Sequence, residues 1–232
     1  MKNWKDKFFS ILAHDLRGPF NSFFGLTQIM ASELPKLTLS EIQKIANSMR
    51  NSATSLFYLL ENLLQWSRNQ QGLIFVTPEK IQLLQVTDES IAIMTEPAKI
   101  KEIIIDVRIP GEMMVRADEM LLQTVIRNLV SNAVKFTPKG GKITIFAEEK
   151  ASEMVVISFR DTGIGMKTEV LQRLFEFNNK ASRQGTEGEP STGLGLLLCK
   201  EFIEKLGGTL RAESEDGKGS TFSISLPSVR KS

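Results

Sequence analysis

The sequence has one cysteine and one histidine, and both shortages limit its chemistry. Because Cys199 has no second cysteine to pair with, the chain forms no internal disulfide and no metal site built from paired cysteines. A reducing, cytosol-facing compartment therefore suits it. His14 is the only histidine, which excludes zinc hydrolase sites that need two histidines. Any serine triad would have to use His14.

Long apolar runs, a signal peptide and an excess of charge are also absent. No stretch approaches the roughly 20 apolar residues of a membrane-spanning helix, and residues 1–6 lack the apolar core of a secretory signal. The 29 basic and 27 acidic residues give a net charge of +2, too little to make nucleic acid the main partner. Hydrophobic residues at 41% and charged residues at 24% instead predict a folded globular chain.

The first part of the chain predicts two long helices joined by a turn. Apolar residues recur there at steps of three and four, the spacing of a packed helix face. Pro19 predicts a kink in the first helix. Thr38 or Ser40 can cap the second helix, with Glu41 in its first turn. Two helices alone leave the apolar face uncovered, so we expect a four-helix bundle with a second copy. The face consists of Phe9, Leu12, Leu16, Phe20, Phe23, Thr27, Met30, Ile42, Ile45, Met49, Ser52, Leu56, Leu59, Leu63 and Trp66.

Beyond Gly72 the pattern changes to a mixture of strands and helices. This mixture predicts an α+β sandwich, one sheet with helices on one face, and two domains at 1–72 and 73–232. The predicted helices are 88–101, 118–136 with Asp118 as its cap, and 194–206. Pro97 favours an early end to the first of these helices. The predicted strands are 80–85, 103–107, 113–116, 143–147, 154–159, 209–212 and 220–226.

Two glycine clusters flank a polar loop. Asp161-Thr162-Gly163-Ile164-Gly165 follows a strand, and its glycines let the backbone approach a ligand while the carboxylate accepts from an exocyclic amine. It is not a P-loop, because no Gly-Lys-Ser/Thr follows. Ser191-Thr192-Gly193-Leu194-Gly195-Leu196 opens a helix whose N–H groups suit phosphate oxygens. The loop at 178–190 is typical of disorder or of a lid over a ligand. An ordinary acidic turn explains the first cluster equally well.

Two further groups of polar residues carry chemistry. Asn128, Asn132 and Lys135 share one helix face and suit a hard cation and phosphate oxygens, although a solvated helix surface has the same composition. His14 lies off the apolar face of the first helix. Asp15 beside it can orient or deprotonate the imidazole, whereas an isolated surface histidine is the commoner case.

In this order, the segments resemble the catalytic core of the sensor histidine kinases of two-component systems, over almost the whole chain. His14-Asp15-Leu16-Arg17 with Pro19 resembles the phosphoacceptor box, and 128–136 resembles the asparagine box. The two glycine clusters resemble the two glycine boxes. Residues 174–177 resemble a shortened phenylalanine box, and 217–222 resemble the final glycine turn.

The resemblance implies a dimerising phosphotransfer hairpin joined to an ATP-binding domain of the gyrase and heat-shock chaperone type. It makes His14 the phosphorylated residue and Asp15 its base or orienting acid. It implies that Asn128 and Asn132 face Mg²⁺ and phosphates, that Lys135 binds phosphate oxygens, and that Asp161 accepts from the adenine amine. The other implied nucleotide-binding residues are Phe136, packed on adenine, Gly163, Ile164, Gly165, Thr192, Gly193, Leu194, Gly195 and Thr221, near the base.

The implied reaction moves the γ-phosphoryl group of MgATP to His14 and then to an aspartate of a response-regulator receiver domain, in trans or fused in the full-length chain. A homodimer is expected, without nucleic acid and without direct membrane insertion of this segment. The segment is expected to be the cytoplasmic part of a longer receptor that a membrane could anchor. Two alternatives need no His14: a conformational-clamp ATPase of the same fold, and a pseudokinase scaffold that binds ATP without transfer.

Three positions depart from the family pattern. Gly18 replaces the usual Thr or Asn that positions water, which predicts poor dephosphorylation of the regulator. Ser191 replaces the first glycine of the second glycine box, and the phenylalanine box lacks its proline.

Overall fold

The computed structural model describes residues 2–70, 76–150, 153–176, 184–189 and 194–229. The side chains of residues 2–15, of several positions in the second long helix and of Leu194 lie outside this description. The helices of the hairpin form one compact unit, and the elements from the first strand onward form another. Among the described residues, no helix combines the length and the apolarity needed to cross a membrane.

The predicted hairpin of two long helices is confirmed. Helix α1 (Lys2–Glu33) continues through Pro19, and a 3₁₀ turn (Leu34–Lys36) leads to helix α2 (Leu39–Gln70). Of the two candidate caps, Thr38 is the one used. Its Oγ1 accepts from the N–H of Glu41 at 3.3 Å, while Oε2 of Glu41 accepts from the N–H of Thr38 at 2.8 Å. This reciprocal capping box fixes where α2 begins.

The two arms of the hairpin cover their apolar residues only in part. Ile42, Ile45 and Met49 are half-buried at the predicted spacing, while the positions between them are exposed. Phe20 and Phe24, one turn apart on α1, are nevertheless 58% and 62% exposed. The single hairpin therefore leaves large aromatic side chains without cover.

The second unit is built on a five-stranded sheet in the order β2-β4-β5-β7-β6. Strands β2 and β4 are parallel and the other pairs are antiparallel, while β1 and β3 form a separate two-stranded sheet. The strands are β1 (Glu79–Gln82), β2 (Ile104–Arg108), β3 (Met114–Ala117), β4 (Lys142–Lys150), β5 (Met154–Asp161), β6 (Thr209–Glu215) and β7 (Gly219–Pro227). The helices are α3 (Leu83–Ile91), α4 (Thr95–Ile100), α5 (Glu119–Phe136), α6 (Thr168–Gln172) and α7 (Leu194–Lys205).

Helices cover one face of this sheet, as the α+β sandwich prediction requires. Strand β5 alternates, with Ile157 and Phe159 fully buried toward α5 and Arg160 exposed on the other face. Helix α5 is the central helix and packs against α3, α7 and β5. Oδ1 of Asp118 accepts from the N–H of Leu121 at 3.1 Å, so the predicted cap is confirmed and sets the register of every α5 side chain.

Two predicted elements differ from the structure. Strand 80–85 ends at Gln82, because Leu83 begins helix α3. Its buried residues recur at helical spacing and pack against α5: Leu83, Val86, Thr87 and Ser90. The single helix predicted at 88–101 is instead divided into the end of α3, a 3₁₀ turn (Ala92–Met94) and α4, and Pro97 does not end α4 early. Pro97 lies in the first turn of α4, where a missing N–H removes no helical hydrogen bond.

Candidate functional site

Three loops and one helix end meet beside β5. The N–H of Ile164 donates to the carbonyl of Phe136, the last residue of α5, at 3.1 Å. The carbonyl of Ile164 accepts from the N–H of Gly217 in the β6–β7 turn at 2.8 Å, and the N–H of Thr162 donates to the carbonyl of Lys142 at 3.0 Å. The first glycine cluster is therefore held from three sides by backbone hydrogen bonds.

The carboxylate of Asp161 lies at the end of β5 and is 5% exposed. Its Oδ1 accepts from the N–H of Gly163 at 2.8 Å and from the N–H of Ser220 at 3.2 Å. Burial raises the pKa of Asp161, and the two backbone hydrogen bonds oppose that rise. Since both donors use Oδ1, Oδ2 has no hydrogen-bond partner within the described part of the chain and can accept from a ligand.

The glycines of this cluster are required by space and by backbone conformation. A Cβ at Gly163 would lie 2.5 Å from Oδ1 of Asp161 and 2.5 Å from the carbonyl oxygen of Phe136. Gly165 has a φ of +63°, and a side chain there would overlap the carbonyl of Glu215. The loop can therefore approach both α5 and the β6–β7 turn only with glycine at these two positions.

The predicted polar face of α5 borders the same region. Nδ2 of Asn128 donates to the carbonyl of Thr124 at 2.9 Å, which turns Oδ1 toward α7. A Cβ at Gly195, in the first turn of α7, would lie 2.6 Å from Oδ1 of Asn128. Position 195 of the second glycine cluster therefore has to be glycine for α7 to pack on α5. Asn132 and Lys135 follow on the same face and are half-buried.

The carboxyl end of α5 carries a cation beside an aromatic ring. Nζ of Lys135 lies 5.4 Å from the ring centroid of Phe136. Because the backbone of Phe136 also holds Ile164, these two residues adjoin the first glycine cluster. The structure thus brings the predicted asparagine segment and the first glycine cluster together.

Within the described part of the chain, acidic, histidine and cysteine side chains do not form a metal site by themselves. The described residues contain no group of three or more His, Cys, Asp or Glu side chains that could hold a metal ion. The amide oxygens of Asn128 and Asn132 suit Mg²⁺ only if a phosphate ligand and water complete its coordination, which is how proteins commonly bind this ion.

Thr221 does not join the cluster. Strand register pairs it with Arg160, whose Nε donates to its Oγ1 at 3.4 Å on the sheet face opposite Asp161. The residue beside Asp161 is Ser220. The Thr221 side chain thus lies on the other sheet face from Asp161, because neighbouring residues of a strand face opposite ways. The expectation that Thr221 lies near a bound base stays a prediction.

Other predicted site residues cannot be placed in full. His14 and Asp15 lie on α1, but their side chains are outside the described residues. Thr192 and Gly193 are outside them entirely, and Leu194 begins α7. Sequence reasoning missed Ser220 and also missed Lys101, whose contacts are described below. No local pattern marks Lys101, because one of its partners lies 88 positions away.

Comparison with known families assigns both units. Residues 4–72 match the family described as the His Kinase A (phospho-acceptor) domain. Residues 117–230 match the family described as the histidine kinase-, DNA gyrase B- and HSP90-like ATPase. The first match contains His14, and the second contains α5 and both glycine clusters.

Individual relatives agree with these matches. The adaptive-response sensory kinase SasA of Crocosphaera subtropica is 33% identical, over 98% of this chain and 60% of its own length. The non-motile and phage-resistance protein of Caulobacter vibrioides is 30% identical, over 96% of this chain but only 27% of its own length. The solved histidine kinase ThkA, in complex with the response regulator protein TrrA, superposes with a TM-score of 0.71 at 22% identity, over 96% of this chain and 61% of that chain.

Because the space around Gly163 is tight, we predict that two glycine substitutions differ sharply in their effect on stability. Gly163→Ala forces a Cβ into the Asp161 carboxylate and the Phe136 carbonyl, so we expect it to lower the free energy of unfolding by about 1–3 kcal/mol. Gly111→Ala is the control, because its Cβ would meet no atom within 4 Å. Urea denaturation of both variants measures the difference, and equal midpoints would contradict the tight packing of this loop.

Proposed function

Because the chain belongs to the sensor histidine kinases, we propose that it transfers the γ-phosphoryl group of ATP to His14 and from there to an aspartate of a response regulator. The observation that carries the proposal is that one chain contains both a phospho-acceptor segment with a single histidine and a buried carboxylate in an ATPase-family fold. The chain spans about a quarter of the length of some curated relatives.

The geometry of Asp161 supports its role in binding the adenine base. Two backbone N–H groups fix Oδ1, so the carboxylate is oriented before any ligand arrives. Oδ2 then accepts from the exocyclic amine of adenine in a site screened from water. Such a buried acceptor discriminates strongly against a base that presents an acceptor at the same point.

The triphosphate is proposed to extend along α5 toward the start of α7. Lys135 binds phosphate oxygens there, and the N–H groups of the second glycine cluster add backbone donors. Phe136 packs against the nucleotide. Asn128 and Asn132 are the residues that would hold Mg²⁺, which neutralises charge on the phosphates when it is bound.

The chemical step requires the protein mainly to position its reactants. A ring nitrogen of His14 forms a bond to the γ-phosphorus, the bond from that phosphorus to the β–γ bridging oxygen breaks, and ADP leaves with the bonding electron pair. Asp15 accepts or holds the imidazole proton so that the attacking nitrogen keeps a lone pair. Positioning and charge neutralisation account for most of the rate in such transfers.

A homodimer through the hairpin and a receiver-domain partner complete the proposal. The exposed Phe20 and Phe24 support the dimer, because a second hairpin is the surface that covers them in a four-helix bundle. Gly18 is exposed and offers no side chain to hold a water molecule. We therefore expect this core to phosphorylate its regulator but to dephosphorylate it poorly.

The kinase proposal is tested by incubation with γ-labelled ATP and Mg²⁺. We expect label that is stable in base, lost in acid and absent from His14→Ala, because a phosphoramidate forms only on the single histidine. Calorimetry should show that His14→Ala still binds ATP. Label that persists in this variant would exclude the kinase reaction. ATP hydrolysis without label would favour the clamp ATPase, and binding without either would favour the pseudokinase.

Asp161→Asn tests the adenine contact. The amide can still accept from the two backbone N–H groups, but its NH₂ then takes the place of Oδ2, offering a donor where an acceptor is needed. We expect ATP affinity to fall by about tenfold or more, with the fold retained. Calorimetry measures the affinity, and Asp88→Asn on the exposed surface of α3 is the matched control. An unchanged affinity would remove Asp161 from the binding site.

The dimer is tested by light scattering at micromolar protein. We expect a mass about twice the 26.0 kDa of the chain, because association buries the aromatic side chains of α1. Phe24→Glu should shift the protein toward the monomer, since it places a charge in that interface. Asn47→Glu, at an exposed position of α2 on the side opposite Ile45 and Met49, adds the same charge as a control. A 26.0 kDa species for the unmodified chain would contradict the dimer.

A further inference from the structure

Lys101 is a buried lysine in the turn before β2. The residue is 3% exposed, and lysine is almost never buried to this extent unless it is paired. Its Nζ donates to the carbonyl of Val134 at 2.9 Å and to the carbonyl of Lys135 at 3.2 Å. It also donates to Oγ1 of Thr186 at 2.6 Å and to Oε1 of Glu189 at 2.9 Å. The ammonium is thus surrounded by oxygen atoms from two different parts of the chain.

The first pair of acceptors belongs to the carboxyl end of α5. Carbonyl groups in the last turn of a helix have no partner within the helix and carry the negative end of its dipole. A buried ammonium group donates hydrogen bonds to these carbonyl groups and places a positive charge at the negative end of the dipole. Lys101 therefore stabilises the last turn of the helix on which Asn128, Asn132 and Lys135 lie.

The second pair belongs to the segment 184–189. The N–H of Thr186 donates to the carbonyl of Lys135 at 3.0 Å, and its hydroxyl donates to the same carbonyl at 3.2 Å. The carboxylate of Glu189 accepts from Lys101 through Oε1 and from the N–H of Glu187 through Oε2 at 2.9 Å. One cation thus fastens this segment to the end of α5.

The fastened segment also confines the side chain of Lys135. A Cβ at Gly185 would lie 2.6 Å from Cγ of Lys135, so the backbone of the segment rests directly on the lysine stem. The carbonyl of Lys135 is held by Thr186 and Lys101 together. Both the backbone and the stem of Lys135 are therefore fixed by the same set of contacts.

We propose that the buried Lys101 and the half-buried Glu189 form a clamp that positions Lys135 for the phosphate groups of the nucleotide. The inference rests on the proposed function, because it concerns the same ATP site. Lys101 and Glu189 are positioning residues, since they act through Lys135. The clamp keeps residues 184–189 on α5 and restricts the directions in which the ammonium of Lys135 can reach.

Electrostatics support a charged clamp. Burial acts to raise the pKa of Glu189, but hydrogen bonds from Lys101 and from backbone N–H groups outweigh it and hold that pKa below its usual value. The Glu189 carboxylate is therefore ionised at neutral pH. With Glu189 33% exposed the ion pair is only partly buried, and such a pair contributes little net stability, but it fixes geometry at both ends. Fixed geometry is what a phosphate-binding lysine requires.

A neutral variant of Lys101 tests the clamp, and a nearby exposed ion pair provides the control. Lys101→Met keeps most of the stem and removes the cation. Lys139 and Glu102 lie 3.0 Å apart with exposures of 62% and 66%, so Lys139→Met removes a neighbouring lysine without touching the clamp. In Lys101→Met we expect faster hydrogen exchange of the amides at 184–189 and a loss of ATP affinity on the order of tenfold. Lys139→Met should match the unmodified chain in both.

The affinity for adenosine distinguishes a loss of Lys135 positioning from general damage to the binding site. Adenosine carries no phosphate, so its affinity, measured by competition, should be the same in Lys101→Met and in the unmodified chain. Equal losses for ATP and adenosine would contradict the inference, because they would show a collapsed pocket. A second variant covers the case in which Lys101→Met does not fold. Glu189→Gln alone should weaken ATP binding relative to the unmodified chain, by less than about tenfold, since its amide oxygen still accepts from Lys101. An ATP affinity equal to that of the unmodified chain would contradict the clamp.

The double variant tests whether the two residues act as one unit. We expect Lys101→Met with Glu189→Gln to lose no more ATP affinity than Lys101→Met alone, because the clamp is already broken. Additive losses would overturn the inference, as would unchanged ATP affinity in Lys101→Met. If the unmodified chain did not bind ATP at all, the proposed function would fail and the clamp with it. Binding that is insensitive to Lys101 would contradict only the clamp.

Discussion

The candidate site depends on one buried carboxylate and the two backbone N–H groups that hold it. Asp161 ends β5, Gly163 belongs to the loop that follows, and Ser220 lies across the sheet on β7. A buried carboxylate is costly unless it is hydrogen-bonded, so these donors must be in place whenever the sheet is formed. The same contact therefore closes the loop onto the sheet and fixes an acceptor for a ligand. Glycine at 163 follows directly from this close approach.

Helix α5 is fixed at both ends, and this determines where the other residues of the candidate site lie. Its amino end is fixed by the Asp118 cap, and its carbonyl groups at the other end are satisfied by Lys101 and by Ile164. Because both ends are fixed, the polar face between them has one register relative to the glycine clusters. Asn128 consequently faces Gly195, so this part of the asparagine segment packs on α7 instead of forming a solvated helix surface.

What the sequence predicted well was encoded locally. The cap at Asp118, the spacing of polar residues on α5 and the first glycine cluster each occupy a few consecutive turns or residues, and the structure contains them as expected. Features set by pairing across the fold were not predictable. The face of Thr221 depends on its register with Arg160, and the helix that begins at Leu83 depends on packing against α5. Lys101 has no local signature because Glu189 is distant in the chain.

The hairpin and the second unit, which contains the five-stranded sheet and is called the mixed unit here because it combines strands and helices, differ in how they are stabilised. The mixed unit buries large side chains such as Phe159, Phe202 and Leu122, whereas among the described side chains of the hairpin only Pro19 is buried. Half-buried apolar positions supply too little transfer free energy to order two helices of 32 residues each by themselves. Association with a second hairpin would supply the missing burial, so the stability of the hairpin should depend on protein concentration.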